Sequence, residues 1–296
     1  MTKIIPHLWF DTDAKDAIEL YMSLFEDSRL ISNQLLEDTP SGNADIFQFE
    51  LAGESFIAIN GGPYITFNSS ISMTVMCDTK EELNERWDLL ADGGNVLMPL
   101  QEYPFSEWYG WVEDKYGLTW QLIVSEGKEY NQKIIPSLMF SGEKTGKARE
   151  AIRYYANLFQ DGNVISEYEY ERGATQDPKA QLSHAEFELM SMQFIAMDDG
   201  ETADAPFNEA ISFMVNCATQ AEIDYYWDKL SADPEAEECG WLKDRYGVSW
   251  QIVPMNLKDY LEKGSQEQIS QVTKAFFKMK KLDMGVLERI WLETKQ

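Results

Sequence analysis

The period of the apolar positions changes repeatedly along the chain. Residues 4–10, Ile-Ile-Pro-His-Leu-Trp-Phe, form a short apolar run that suits a strand, and Ala14, Ala17, Ile18, Tyr21, Leu24 and Phe25 then recur at helical spacing. Strand-like runs follow near 29–36, 45–51 and 55–60. Ser72 to Cys77 opens a second half with another strand, after which Thr79-Lys80-Glu81-Glu82 forms a T-x-x-E capping box before Leu83, Trp87 and Leu90. Two more strands are expected at 109–113 and 119–124. The element order is strand–helix–strand–strand–strand, read twice.

The whole pattern then returns. Residues 4–10 come back as Ile134-Ile135-Pro136-Ser137-Leu138-Met139-Phe140, at an offset of 130. Ala17-Ile18 and Tyr21 match Ala151-Ile152 and Tyr155; Phe49-Glu50-Leu51 matches Phe187-Glu188-Leu189; Phe67-Asn68 matches Phe207-Asn208. Trp111 to Gly117 with Trp120-Gln121 matches Trp241 to Gly247 with Trp250-Gln251, and the capping box recurs at Thr219 to Glu222. The offset drifts only between blocks, as when loops change length around a shared scaffold. The chain is a tandem duplication: a first copy at 1–130, a second at 131–256, joined near Lys128 to Lys133, and a tail at 257–296. In the tail Ile269, Val272, Phe276 and Met279 share a helical face, and Asp283 is placed to cap a last helix carrying Leu287 and Ile290. That face is expected to pack back on the body.

Composition narrows the function. A hydrophobic fraction of 44% over 296 residues supports about two packed domains. No apolar run approaches the roughly 20 residues of a membrane span, Met1-Thr2-Lys3-Ile4 starts neither a signal nor a transit peptide, and three cysteines make no disulfide framework. A cytoplasmic location is the expectation. Twenty-five basic against 51 acidic residues leave a net charge of −26, which repels nucleic acid and anionic membranes. Two histidines limit imidazole chemistry.

The stretch Cys239-Gly240-Trp241-Leu242-Lys243-Asp244-Arg245-Tyr246-Gly247-Val248-Ser249-Trp250-Gln251-Ile252-Val253-Pro254 resembles the signature of the PhnB-like family, often labelled 3-demethylubiquinone-9 3-methyltransferase. That family sits in the vicinal-oxygen-chelate superfamily, with glyoxalase and the bleomycin and fosfomycin resistance proteins. Ile135-Pro136, Phe187-Glu188-Leu189, Phe207-Asn208 and Met279-Lys280-Lys281-Leu282-Asp283 support the resemblance, while Tyr109 stands for Cys239 and Ile46 for His184 in the first copy. The resemblance implies an α+β fold of paired βαβββ modules, their sheets forming cups with helices outside and ligand inside. Four modules give two cups, and the tandem copies act as a pseudo-dimer; the tail could also mediate a homodimer.

The superfamily's usual metal takes one ligand from the first and one from the last strand of each module. Carried over, these fall on Pro6, Pro136, Ile71 and Ile211, within about one residue, and on Gln121 and Gln251. None is a charged ligand, so no metal is expected. A slip of one residue brings in His7, with Ser137 as its poor counterpart. His184 alternates with Glu186 and Glu188 on one strand face, with Gln251 expected nearby, leaving a divalent metal in the second cup as the alternative to a hydrogen-bonded polar face.

Cys77 and Cys217 read as packing residues, and Cys239 as a cup-facing thiol. The tryptophans 111, 120, 241 and 250 read equally as core and as an aromatic wall with Gln121 and Gln251. Asp114 and Asp244 should organise their turns, and no G-x-G-x-x-G or P-loop motif occurs. The expected function is binding of a small organic molecule, lined by His184, Glu186, Trp241, Trp250 and Gln251, with Cys239, Gln48, Trp120 and Gln121 as further candidates. Metal-assisted lyase, isomerase or oxygenase chemistry, methyl transfer and sequestration of a toxic compound are the rivals.

Overall fold

The computed structural model describes residues 4–39, 42–125, 127, 130–202 and 204–294. Lys128, at one end of the expected junction, lies outside them, as do Met1 to Lys3. The first module contains β1 (Ile4–Phe10), α1 (Ala14–Leu24), β2 (Arg29–Thr39), β3 (Gly42–Leu51) and β4 (Glu54–Asn60). The second contains β5 (Ile71–Cys77), α2 (Lys80–Ala91), β6 (Asn95–Tyr103), β7 (Ser106–Glu113) and β8 (Thr119–Val124). The third repeats the first as β9 (Ile134–Phe140), α3 (Ala148–Leu158), β10 (Asn163–Glu169), β11 (Leu182–Leu189) and β12 (Met192–Asp198). The fourth has β13 (Ile211–Cys217), α4 (Gln220–Leu230), β14 (Trp241–Lys243) and β15 (Ser249–Pro254).

The periodicity located these elements well, apart from β6. That strand is mostly exposed and carries Pro99, so its pattern shows no alternation. The helix starts behave as the T-x-x-E motifs predict in part. Thr79 and Thr219 each accept from the backbone N–H three residues on, while Glu82 and Glu222 reach back to the amides of Asp78 and Ala218, one residue before the cap.

The modules pair across the copies. Sheet I runs β14-β15-β13-β1-β4-β3-β2 and sheet II runs β10-β11-β12-β9-β5-β8-β7-β6. Sheet I therefore joins the first module to the fourth through β1 and β13, and sheet II joins the second to the third through β5 and β9. Helices α1 and α4 lie on one face of sheet I, α2 and α3 on one face of sheet II. These helix-bearing faces share one large apolar core, in which the Phe194 and Phe213 rings meet across the two sheets at 5.2 Å. The opposite, concave faces form the two cups.

Within each copy, one buried carboxylate fastens the two modules together. Asp114, in the turn between β7 and β8 of sheet II, accepts from the Tyr21 hydroxyl of α1 at 2.7 Å and from the Trp120 indole at 2.8 Å. Its other oxygen takes the amides of Tyr116 and Leu118. Asp244 does the same in the second copy, with Tyr155 of α3 at 2.6 Å, Trp250 at 2.9 Å and the amides of Tyr246 and Val248. The turn-organising role expected of both aspartates holds. Asn68 and Asn208 add a reciprocal tie: each side-chain amide donates to a carbonyl beside the other, Pro206 and Thr66.

The tail forms three helices, α5 (Leu257–Lys263), α6 (Gln266–Phe276) and α7 (Met284–Glu293). Asp283 caps α7, as expected, by accepting from Val286 N–H at 2.9 Å. Val272, Phe276 and Leu287 pack with Val253 of β15 and with Leu36, Met214 and Cys239, so the amphipathic face does return to the body. The fourth module has no counterpart of β6. The tail stands in for it: the amides of Cys239 and Gly240 donate to the carbonyls of Met279 and Lys280 at 2.8 Å. No helix among the described residues is long and apolar enough to cross a membrane.

Two stability measurements follow. Asp244→Ala leaves a buried tyrosine hydroxyl, an indole N–H and two amides without their acceptor, and should lower the unfolding free energy by about 3 kcal/mol or more in urea titrations; a loss under about 1 kcal/mol would contradict the role given to it. Glu54 accepts from the amides of Lys133 and Ile134 across the copy junction, and burial pushes its carboxyl up to about 7 from 4.5. A raised carboxyl favours the fold fully at pH values below the unfolded pKa and loses that contribution as pH rises through the folded one. Glu54→Gln should therefore gain stability relative to the native chain between about pH 5 and pH 7 and hold that gain at higher pH; a pH-independent difference would contradict it.

Candidate functional site

A cavity of about 750 Å³ occupies the concave face of sheet I, within the size range of small-molecule sites. Alternation along each strand sets its lining. From β1 it takes Ile5, His7 and Trp9; from β3, Ile46 and Gln48; from β4, Ile57 and Ile59; from β13, Met214 and Asn216. Trp241 of β14 and Ser249, Gln251 and Val253 of β15 complete the cup. The tail roofs it with Leu257, Leu261, Phe276 and Phe277, and Lys258 of α5 donates to the Gln48 carbonyl at 2.6 Å, bridging α5 to β3.

The floor is polar and incompletely satisfied. Register places His7 of β1 beside Ser212 of β13, and Ser212 beside Ser249 of β15. The Gln251 amide donates its N–H to the Ser212 hydroxyl at 3.0 Å, which turns its carbonyl oxygen away as an acceptor without a donor among the described residues. His7 is only 4% exposed and its Nδ1 has no partner; the buried Ser249 hydroxyl has none either. Burial holds the His7 imidazole down at about 3, so it is neutral over the whole physiological range. The Trp241 ring stands edge-on to His7 at 5.4 Å and to Trp9 at 6.4 Å, forming an aromatic corner. Charge is confined to the rim, where Lys243 pairs with Glu209.

The sequence candidates divide between the cups. Trp241, Gln251, Cys239 and Gln48 line the cavity of sheet I. His184 and Glu186 do share a strand face, with His184 Nε2 3.4 Å from Glu186 Oε1, but they stand on β11 in sheet II. Gln251 is therefore not their neighbour; its counterpart Gln121 stands in that sheet. Trp120 and Trp250 lie on the helix side, 1% exposed and tied to their aspartates, so neither forms a cup wall. The physical reason is simple: Trp250 and Gln251 are adjacent on one strand and must point to opposite faces. Cys239 has a left-handed backbone, with φ of 52°, and burial with Glu238 pushes its thiol up to about 12, which keeps it protonated and a poor nucleophile. Trp9, Ser249 and the tail were not among the candidates, and His7 entered only through a one-residue slip of the metal register, on the face opposite Pro6 and Leu8.

The same positions in sheet II are closed by their own side chains. Tyr109 replaces Cys239 and donates to the Gln121 carbonyl at 2.9 Å; Gln121 donates to Ser72 at 2.7 Å; Thr74 and Ser137 share a hydrogen bond of 2.6 Å. Met76, Ile135 and Ile195 cluster on that concave face with Ile123, Tyr130 and Met197 packed against them.

The residues facing each cup from first and last strands can now be set against a metal. All four first-strand positions shift by one from those expected: His7 and Ser212 face the cup of sheet I, Ser137 and Ser72 that of sheet II, while Ile71 and Ile211 go to the core. With Gln251 and Gln121 from β15 and β8, the donors are one neutral imidazole, hydroxyls and amides. Such a set lacks the charge and ligand count that a divalent ion needs and does not fit one. Among the described residues, no group of three His, Cys, Asp or Glu side chains is placed to hold a metal.

Paired βαβββ modules around concave sheets define the glyoxalase-type fold. The chain belongs to the 3-demethylubiquinone-9 3-methyltransferase family, whose model matches it twice, over residues 2–123 and 132–253. It is similar to a PhnB protein from Bacillus cereus described under the same methyltransferase name, 35% identical over 42% of this chain and 99% of that one, with a TM-score of 0.39. A protein from Staphylococcus aureus is 32% identical over 42% of this chain and 97% of its own, at a TM-score of 0.19. Glyoxalase I from Zea mays shares the fold over 88% of this chain and 95% of its own at 10% identity, with a TM-score of 0.55. No curated protein matches the chain.

A neutral His7 has a direct spectroscopic consequence. In a His184→Gln variant, leaving one imidazole, the ring resonances should stay fixed from pH 8 to pH 5. A titration centred near the ordinary value of 6.5 would contradict the burial of His7.

Proposed function

We propose that the protein binds one small organic molecule per chain, in the cup of sheet I, without the metal of the wider superfamily. The observation that carries this reading is the cavity of about 750 Å³, roofed by the tail, whose floor presents the Gln251 carbonyl oxygen without a donor among the described residues. Buried polar groups normally find partners, and a ligand is the natural partner for groups aimed into an open cavity. Sheet II supports the contrast, since its equivalent Gln121 accepts from Tyr109 and donates to Ser72. The family name refers to methyl transfer; the reading assigns a ligand site and no reaction to this chain.

Native mass spectrometry of the purified protein, compared with the denatured mass, tests it. The expected result is at most one organic adduct per chain and no divalent-metal excess. Ile57→Trp, which places an indole in the cavity, should abolish the adduct while shifting Tm by only a few degrees. A stoichiometric metal, or two organic ligands per chain, would overturn the reading.

A further inference from the structure

The cavity's chemistry is specific enough to name a class of ligand, an inference that rests on the reading just given. Its walls are apolar on several sides: Ile5, Ile57, Ile59, Met214, Leu257 and Phe276. Trp9 and Trp241 meet at an interplanar angle of 80°, so a flat ring lying against one indole face meets the edge of the other.

Charge points the same way. Each charged side chain that reaches the cavity is already answered or solvated. Lys243 is paired with Glu209; Lys258 is engaged by Gln48 and, at 3.5 Å, by Glu262; Glu235 and Glu238 are exposed at the rim. A ligand carboxylate or ammonium group on the floor would lose its hydration and meet only neutral groups, at a cost of several kcal/mol. The surrounding protein, at a net −26, further disfavours an anion.

The floor's hydrogen-bond polarity supplies the last constraint. Because the Gln251 amide nitrogen is turned onto Ser212, the carbonyl oxygen, which only accepts, is left to the cavity. A molecule that answers this oxygen has to bring a donor.

We infer that the ligand is an uncharged, flat and mainly apolar molecule that presents a hydroxyl or N–H group to Gln251 at the bottom of the cup.

Three probes of one skeleton test this on the full chain at neutral pH: 2-naphthol, naphthalene and 2-naphthoate, followed by tryptophan fluorescence and calorimetry. The inference predicts that 2-naphthol binds about fivefold to tenfold more tightly than naphthalene, the worth of one hydrogen bond, and at least tenfold more tightly than 2-naphthoate. Gln251→Met, which keeps the volume and removes the acceptor, should bring 2-naphthol down to the level of naphthalene and leave naphthalene unchanged. If that variant fails to fold, the ranking on the native chain still decides. Naphthoate binding as well as naphthol, or naphthalene equal to naphthol, would overturn the ligand class and leave the cavity site standing. Binding of none of the three, or binding undiminished in Ile57→Trp, would remove the site itself.

Discussion

A buried carboxylate holding a tyrosine, an indole and two backbone amides is the constraint on which the architecture turns. Asp114 and Asp244 each sit in a strand-to-strand turn of one sheet and grip a helix packed on the other, through Tyr21 and Tyr155. A carboxylate removed from water is tolerated only when its lone pairs are taken by good donors, and here four donors converge on each. The two modules of one copy are thereby fixed back to back, with their free strand edges directed to different sheets. Each cup then has to be completed by the other copy, which is what β1–β13 and β5–β9 pairing does.

With the scaffold duplicated, a few residues make the cups unequal. At one equivalent position sheet II has Tyr109, whose hydroxyl consumes the glutamine acceptor; sheet I has Cys239, which leaves that acceptor free. The fourth module also lacks the strand that borders Tyr109, and the tail fills that edge through Met279 and Lys280 before Leu282 and Met284 bind Gln220 of α4. The same replacement carries α5 and α6 across the mouth of the cup. One substitution and one lost strand thus account for a satisfied Gln121 in sheet II and a roofed cavity with an unanswered Gln251 carbonyl in sheet I.

The duplication, the βαβββ order, both helix caps and the packed tail were legible because they are local patterns of period and spacing. The partner of each module was not. The strands that join modules, β1, β5, β9 and β13, are largely buried on both faces, so their burial pattern suits either pairing. At the site, Trp241, Gln251, Cys239 and Gln48 were readable from the repeat and its resemblance. His184 and Glu186 share the strand face that alternation predicts, but pairing across the copies puts them in the other cup. Trp120 and Trp250 conflicted with their neighbours Gln121 and Gln251 from the outset, since strict alternation cannot aim both at the ligand. The tail's role as a roof was hidden because an amphipathic helix shows that it buries a face, not which surface receives it.

That a cup is built from both copies is tested most directly by proximity across the chain. With histidine and tryptophan selectively labelled, nuclear Overhauser contacts report which imidazole lies beside the Trp241 indole. The structure places the His7 ring there, 5.4 Å between centroids, and predicts cross-peaks from Trp241 to His7 and none to His184. Cross-peaks from Trp241 to His184, with His7 silent, would mean that each copy closes its own cup and would contradict the account.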